Sequence, residues 1–128
     1  MSYTASTTTN TDTVTIPSGV VAGSIVVLLA VTDGGPGAWS GADFPAGFTM
    51  LDNAAFTFDG GFAGVAWKRA SGAESGTYTV AKSTTPYMQV TCWVLNGRHA
   101  TNPPVVNTIN LEDFDHAPFP ATVTANGI

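Results

Sequence analysis

Few side chains in this sequence could carry out covalent catalysis. A nucleophile–base pair requires Ser or Cys, a histidine and an orienting acid brought together in space. The histidines are His99 and His116, and no Ser lies in a Gly-x-Ser-x-Gly turn. The single cysteine, Cys92, alternates with the apolar residues Met88, Val90 and Val94. Because free Cys is among the most buried residue types, this pattern predicts a core thiol rather than a nucleophile.

Carboxylates could support hydrolysis by another route, since glycoside hydrolysis uses two of them flanking the scissile bond. The candidates are Asp52, Asp59 and Glu74. Asp52 lies at a predicted strand bend and Asp59 in an Asp-Gly-Gly turn, where Asp is ordinary. The glycines of residues 34–37 are typical of a turn rather than of a phosphate-binding loop. We therefore predict that the protein is not an enzyme and carries no cofactor.

Residues 110–116 (NLEDFDH) form the densest polar cluster of the chain. The carboxylate oxygens of Glu112, Asp113 and Asp115 could bind calcium. Their spacing does not match an EF-hand loop, which needs a Gly in mid-loop and a closing Glu. The ordinary interpretation is a solvated acidic loop, with a calcium site as the alternative.

Aromatic side chains are the remaining signal. Trp39 and Phe44 fall in a predicted loop, Trp93 lies opposite the core-facing residues of its strand, and Tyr3 belongs to a Thr-rich opening segment. Such side chains can stack on sugar rings or insert into a protein neighbour, so we predict that these four form an interface. The alternatives are that Trp39 and Phe44 cap the end of the fold, and that Trp93 is covered within the same chain.

The charge composition argues against one class of partner. Nine acids against four bases give a net charge of -5, and charged residues make up only 10% of the chain. The four bases, which do not form a run, are Lys68, Arg69, Lys82 and Arg98. Without a basic patch, we expect no binding to nucleic acid or to an anionic membrane surface.

The opening residues and the longest apolar stretch bear on location. Residues 1–4 lack the basic and apolar regions of a signal peptide, and the apolar stretch of residues 25–31 is far too short to cross a bilayer. One cysteine also allows no internal disulfide. We therefore expect a protein that is made in a cytoplasm and not exported by the usual route.

The elements that must position these side chains are predicted to be β-strands. Thr and small polar residues replace the usual charged ones, which favours strands and turns over surface helices. Strand-like runs recur between Gly, Pro, Asp and Asn at residues 13–16, 24–32, 48–58, 62–69, 77–82, 87–95, 105–111 and 121–124. This spacing predicts a single antiparallel β-sandwich, jelly-roll or immunoglobulin-like, of about seven or eight strands, with a small barrel as the alternative. We assign residues 1–13 to an N-terminal arm or edge strand and residues 14–128 to the sandwich domain.

Two of these strands are predicted to dominate the core. Residues 24–32 are apolar on both faces, which indicates that both faces are covered. In residues 87–95, Cys92 and its alternating apolar neighbours share one face. We predict that this face packs against Val65 and Trp67 inside one core.

Several segments resemble a family of β-sandwich modules that occurs often in bacteriophage virion proteins. They are residues 16–24 (IPSGVVAGS), 44–51 (FPAGFTML), 65–74 (VAWKRASGAE) and 77–80 (TYTV). The strand at residues 90–95, Asn96-Gly97, and residues 102–105 (NPPV) continue the pattern, so the resemblance covers about residues 14–106. These motifs consist of turns and core positions, and they identify a fold lineage more than an activity.

The resemblance implies a non-enzymatic structural protein of a virion, most simply a capsid decoration or cement protein or a head-fibre protein. Its partners would be further copies of itself, with a trimer as the natural guess on a capsid, and a major capsid or tail protein. The alternative is a carbohydrate-binding or receptor-binding module of a tail fibre, with a host surface glycan as its ligand.

Overall fold

A computed structural model describes residues 2–33, 37–55, 61–82 and 87–97 of the chain. These ranges contain one 3-10 turn, Gly41–Asp43, and seven strands that pair only in the antiparallel sense. The strands are β1 (Ser2–Thr9), β2 (Thr13–Thr15), β3 (Ile25–Asp33), β4 (Thr49–Ala55), β5 (Phe62–Arg69), β6 (Thr77–Thr79) and β7 (Tyr87–Asn96). The predicted all-β fold is therefore confirmed.

Several predicted features lie outside the described residues. They are the strands at residues 105–111 and 121–124, the acidic segment at residues 110–116, and the residues Asp59, Arg98, His99 and His116.

The strands form two sheets, in agreement with the predicted sandwich. The larger sheet has the order β1-β7-β3-β5-β4, and β2 pairs with β6 in the smaller one. β3 lies at the centre of the larger sheet, between β5 and β7, and its residues are buried without interruption from Ile25 to Ala30. This confirms the prediction that the residues on both faces of this strand are buried, as its continuous run of aliphatic side chains indicates.

β1 is an edge strand of the larger sheet. It pairs with β7 from Ser2 opposite Asn96 to Thr9 opposite Val90, with a register shift between Tyr3 and Ala5. Residues 10–12 then carry the chain from this sheet to β2 in the smaller one. Within the described ranges, no strand pairs with the other edge of β1. Of the two alternatives for the N-terminal residues, the structure shows the edge strand.

The main core lies on the side of the larger sheet that faces the smaller one, which we call the inner face. Cys92 is fully buried there together with Val90 and Val94, and Met88 packs against the same cluster. The smaller sheet contributes Val14 and Tyr78, and the connecting segments add Ile16, Val20, Val80, Trp39 and Phe44. The predicted grouping around Cys92 is therefore confirmed.

The other half of that prediction is wrong. Val65 and Trp67 belong to a second apolar cluster on the opposite side of the larger sheet, which we call the outer face. β5 instead turns its small residues Gly64 and Ala66 inward, because Trp39 occupies the space above them. A Cβ atom added to Gly64 would lie 2.5 Å from the Cβ of Trp39. The close approach of a loop, rather than the bulk of the side chains, decides which face of β5 enters the core.

Candidate interaction surface

The loop aromatics Trp39 and Phe44 are buried. Their exposed fractions are 1% and 6%, and their ring centroids lie 5.5 Å apart. Nε1 of Trp39 donates a hydrogen bond to the carbonyl oxygen of Phe62 at 3.2 Å, which satisfies the polar group of the ring. Both rings therefore cap the core, which was the alternative to an interface role. This location removes them from the surface that a partner can reach.

A buried lysine holds the loop of these two rings in place. Nζ of Lys82 donates a hydrogen bond to the carbonyl oxygen of Gly37 at 2.7 Å, lies 5.2 Å from the ring centroid of Trp39 and 3.6 Å from the carboxylate of Asp43. Asp43 accepts hydrogen bonds from the backbone N–H and the hydroxyl of Ser40. Burial opposes its ionisation, but the bonds from Ser40 and the charge of Lys82 hold the pKa of Asp43 below its usual range. These charges therefore have a structural use.

The outer face carries Trp93, the predicted interface residue that is both described and accessible. Trp93 pairs with Val27 of β3, and Val27 pairs with Trp67 of β5. Since adjacent strands lie about 4.8 Å apart, the two tryptophans stand about 10 Å from each other on either side of the valine. Ser6 of β1 and Thr49 of β4 complete this row across all five strands. The prediction that Trp93 lies opposite the core-facing residues of its strand is confirmed.

An apolar cluster covers much of the rest of the outer face, beside the polar Gln89 and Thr91 of β7. Its four buried residues, all at most 8% exposed, are Ile25, Val27, Leu29 and Val65. Its five partly exposed residues are Val31, Leu51, Trp67, Trp93 and Leu95. In the described part of the chain, every side chain of this cluster comes from the larger sheet itself, and no described strand lies across it. The face offers a partner two indole rings and three aliphatic side chains around a buried centre.

Polar residues border this apolar face on the two edge strands. On β1, Ser6 and Thr8 are exposed, and the hydroxyl oxygen of Thr8 lies 3.1 Å from that of Thr91. On β4, Thr49 is exposed and Asp52 is half-buried. An apolar centre that contains Trp, with a polar margin, is the usual arrangement of a protein–protein interface.

Tyr3 is placed by its backbone alone. It pairs with Leu95 of β7, and Leu95 belongs to the outer-face cluster. Its side chain lies outside the described part of the structure, and its role at an interface stays a prediction.

Two side chains that were considered for catalysis, Cys92 and Glu74, have surroundings that suit a structural role. Burial raises the pKa of the Cys92 thiol to about 12, so the thiolate needed for nucleophilic attack does not form near neutral pH. Glu74 lies 2.6 Å from Nζ of Lys68 and accepts a hydrogen bond from the hydroxyl of Tyr78. Burial opposes the ionisation of Glu74, but these two bonds and the charge of Lys68 lower its pKa, which is the opposite of what a general acid needs. Among the described residues, no three His, Cys, Asp or Glu side chains group as metal ligands do.

A small open cleft of about 240 Å³ lies at the start of β3. Its lining includes Val21, Gly23, Ser24, Arg69 and Asn96. The Ser24 hydroxyl donates a hydrogen bond to Asn96, and Nη1 of Arg69 donates one to the carbonyl oxygen of Gly23 at 3.2 Å. These bonds tie the neighbouring ends of β3, β5 and β7 together, so we assign the cleft a structural role.

Comparisons with known proteins found no match, so a proposal for the function depends on this surface and on the sequence motifs. No protein-family model matches the chain, and no match was found among curated proteins or among solved structures. No helix among the described residues is long and apolar enough to cross a membrane.

The sequence indicated Trp93 but not its companions on neighbouring strands of the outer face, Trp67 and Leu51. One signal could have found Trp67. Gly64 and Ala66 alternate with the bulky residues of β5, and Gly inside a strand often marks the close approach of another backbone. That pattern favours an inward small face and an outward Trp67.

Proposed function

We propose that this protein is a non-enzymatic structural component of a bacteriophage particle, a capsid decoration, cement or head-fibre protein, and that it binds its neighbours through the outer face. The observation that carries the proposal is the row of Trp93, Val27 and Trp67 across the larger sheet. Trp is enriched among the residues that contribute most to protein–protein affinity. The polar margin on β1 and β4 suits the rim of such an interface.

The choice of a virion as the setting rests on the sequence. The segments at residues 16–24, 44–51 and 65–80 resemble β-sandwich modules of phage particles. The expected partners are further copies of this chain and a major capsid or tail protein.

The test is to remove the accessible rings and measure assembly. We expect Trp93→Ala and Trp67→Ala each to weaken binding to purified capsids or tails, and self-association, by about 2 kcal/mol, which is roughly thirtyfold in Kd. Val21→Ala is the matched control, because Val21 is 53% exposed and lies outside the outer-face cluster. Light scattering and co-sedimentation give the two readouts.

Two outcomes would contradict the proposal. If Trp93→Ala lowers the melting temperature but leaves assembly unchanged, the outer face is covered by the chain's own residues. If the intact protein stays monomeric at high concentration and binds neither capsids nor tails, the structural role is wrong.

A second candidate is a carbohydrate-binding or receptor-binding module of a tail fibre. The observation that favours it is the pair of tryptophans about 10 Å apart with hydroxyl groups beside them, since aromatic faces can stack on sugar rings. Quenching of Trp fluorescence by host surface polysaccharide, lost in Trp93→Ala, would support this candidate over the first.

A further inference from the structure

In the half of β1 whose side chains are described, residues 6–9, no apolar side chain helps to hold the strand at the sheet edge. Its described side chains are Ser6 and Thr8, which are exposed, and Thr7 and Thr9, which are half-buried. By contrast, the next strand along the chain anchors itself with Val14, which is 0% exposed. Over these four residues, the attachment of β1 to the sheet therefore depends on backbone pairing with β7 and on threonine hydroxyls, such as the contact of Thr8 with Thr91.

β7 in turn requires a strand at this edge. Val90, Cys92 and Val94 face inward. The outward residues include the apolar Trp93 and Leu95 beside the polar Gln89 and Thr91, so both faces of β7 carry apolar side chains. An uncovered edge of this kind leaves a row of N–H and C=O groups without partners beside apolar side chains. Any copy of β1 supplies the same groups in the same register, because the pairing depends on backbone and hydroxyl contacts that are identical in every copy.

The connection to β2 makes the choice of copy depend on concentration. Three residues, Asn10 to Asp12, separate β1 from β2. Exchange of a terminal strand between identical chains forms no new kind of contact. The state in which β1 pairs with its own β7 therefore differs from the exchanged state mainly in the strain of this connection, and the balance between them depends on the local concentration of neighbours. An array of copies on a particle supplies a high local concentration.

We propose that β1 is an exchangeable strand, which pairs with β7 of a second copy when copies are close together. This inference deepens the proposed function and depends on its assumption that the protein self-associates. It assigns the edge of β7 as the acceptor and residues 2–9 as the donor. It also specifies the register, with Thr8 of one copy opposite Thr91 of the next.

Disulfide trapping tests the register directly. Residues directly opposite in an antiparallel pair have Cα atoms about 4.5–5.5 Å apart, which lies within the range that a disulfide spans. Thr8→Cys and Thr91→Cys are made in separate chains, mixed at a concentration where the unmodified protein self-associates, and oxidised. We expect a covalent dimer that contains one chain of each kind. Cys92 remains in both, since it is 0% exposed and its pKa is raised.

The control mixture pairs Thr8→Cys with Thr79→Cys, whose side chain is exposed on β6 in the smaller sheet. The first mixture should give at least about tenfold more mixed dimer than the control, because strand pairing raises the effective concentration of the two thiols. Equal amounts in the two mixtures would overturn the exchange. If self-association persists in that case, the proposed interface on the outer face stands without it. If the unmodified protein does not self-associate at all, the exchange is wrong, and capsid binding alone decides the proposed function.

Discussion

The two faces of the five-stranded sheet are both apolar but are built in opposite ways. On the inner face, β5 presents the small residues Gly64 and Ala66. Two large side chains of a loop, Trp39 and Phe44, pack into the core on this side. The outer face carries its own large side chains, among them Trp67 and Trp93, and its described cluster contains no residue from outside the sheet. The inner face is therefore closed by a loop of its own chain, whereas the described cluster on the outer face has no such cover.

The difference also shows in how polar groups are treated. On the inner side, Trp39 Nε1 has a carbonyl partner and Lys82 is only 9% exposed, with two carbonyl oxygens and a carboxylate as its partners. On the outer side, exposed hydroxyl groups on β1 and β4 surround the apolar centre. Satisfied polar groups with little access to water are typical of a finished interior, and an exposed polar margin is typical of a surface that binds.

The strongest test of this comparison uses adjacent residues of β7 that point to opposite faces. Cys92→Asp places an unpaired charge in the inner core, and we expect it to cost about 4 kcal/mol or more, which removes most of the stability of a domain of this size. Thr91→Asp, which faces outward and is half-buried, should cost far less. Urea denaturation followed by circular dichroism measures both. A Cys92→Asp protein with an unchanged melting temperature would show that the inner face is not the core.

The two kinds of tryptophan give the next largest difference. Trp39 is 1% exposed, so Trp39→Ala should lower the free energy of unfolding by about 3–5 kcal/mol. Trp93 is partly exposed, and Trp93→Ala should cost roughly half as much in the isolated protein. Thermal unfolding at low protein concentration separates the effect on folding from the effect on assembly. Equal losses for the two variants would mean that the outer face is as fully interior as the inner one.

Gly64 tests the recessed construction of the inner face. Gly64→Ala adds a Cβ that would lie 2.5 Å from the Cβ of Trp39, so the loop or the strand must move. Overpacking of this kind costs about 1–3 kcal/mol. Gly72→Ala is the control, because a Cβ there meets nothing within 4 Å. If chemical denaturation gives the same stability for both variants, the close approach of Trp39 to β5 does not limit the sequence at this position.

The sequence predicted the elements better than it predicted their contacts. Period-two alternation and turn residues are local signals, so the two sheets, the buried centre of β3 and the outward direction of Trp93 could be predicted. The burial of Trp39 and Phe44 could not, because a loop sequence does not state which strand it folds against. The inward face of β5 depends on that same contact, which joins residues 25 positions apart, Trp39 and Gly64.

In the candidate interaction surface, too, the local features could be predicted from the sequence and the contacts between strands could not. Alternation within β7 placed Trp93 on the correct face, but its companion Trp67 is set by pairing through β3, which is a property of the sheet order. Glu74 was weighed from the sequence as a possible catalytic acid. Its neighbours Lys68 and Tyr78, which neutralise and hydrogen-bond it, come together only when β5 and β6 are packed in the fold.

The smallest predicted effect concerns the charged group at the margin of the inner face. Nζ of Lys68 lies 4.9 Å from the ring centroid of Tyr78 and 5.3 Å from that of Phe48, and it pairs with Glu74. The pKa of Glu74 is lower in the folded protein than its ordinary value of 4.5. Its contribution to stability is therefore fully present above that ordinary value and is lost as the pH falls through the lower pKa of the folded state.

Glu74→Gln should reduce the free energy of unfolding at pH 7 by about 1 kcal/mol or less, since the pair is only partly buried, and should flatten the loss of stability in acid. Lys68→Met is the matched variant, because it keeps the apolar stem over the two rings and removes the charge. It should reduce the loss of stability at low pH only in part, since the hydrogen bond from Tyr78 to Glu74 remains. Urea titrations between pH 3 and 7 measure these slopes. An acid limb identical in the wild type and in Glu74→Gln would show that the margin of the inner face gains nothing from its charges, and the contrast between the two faces would then rest on packing alone.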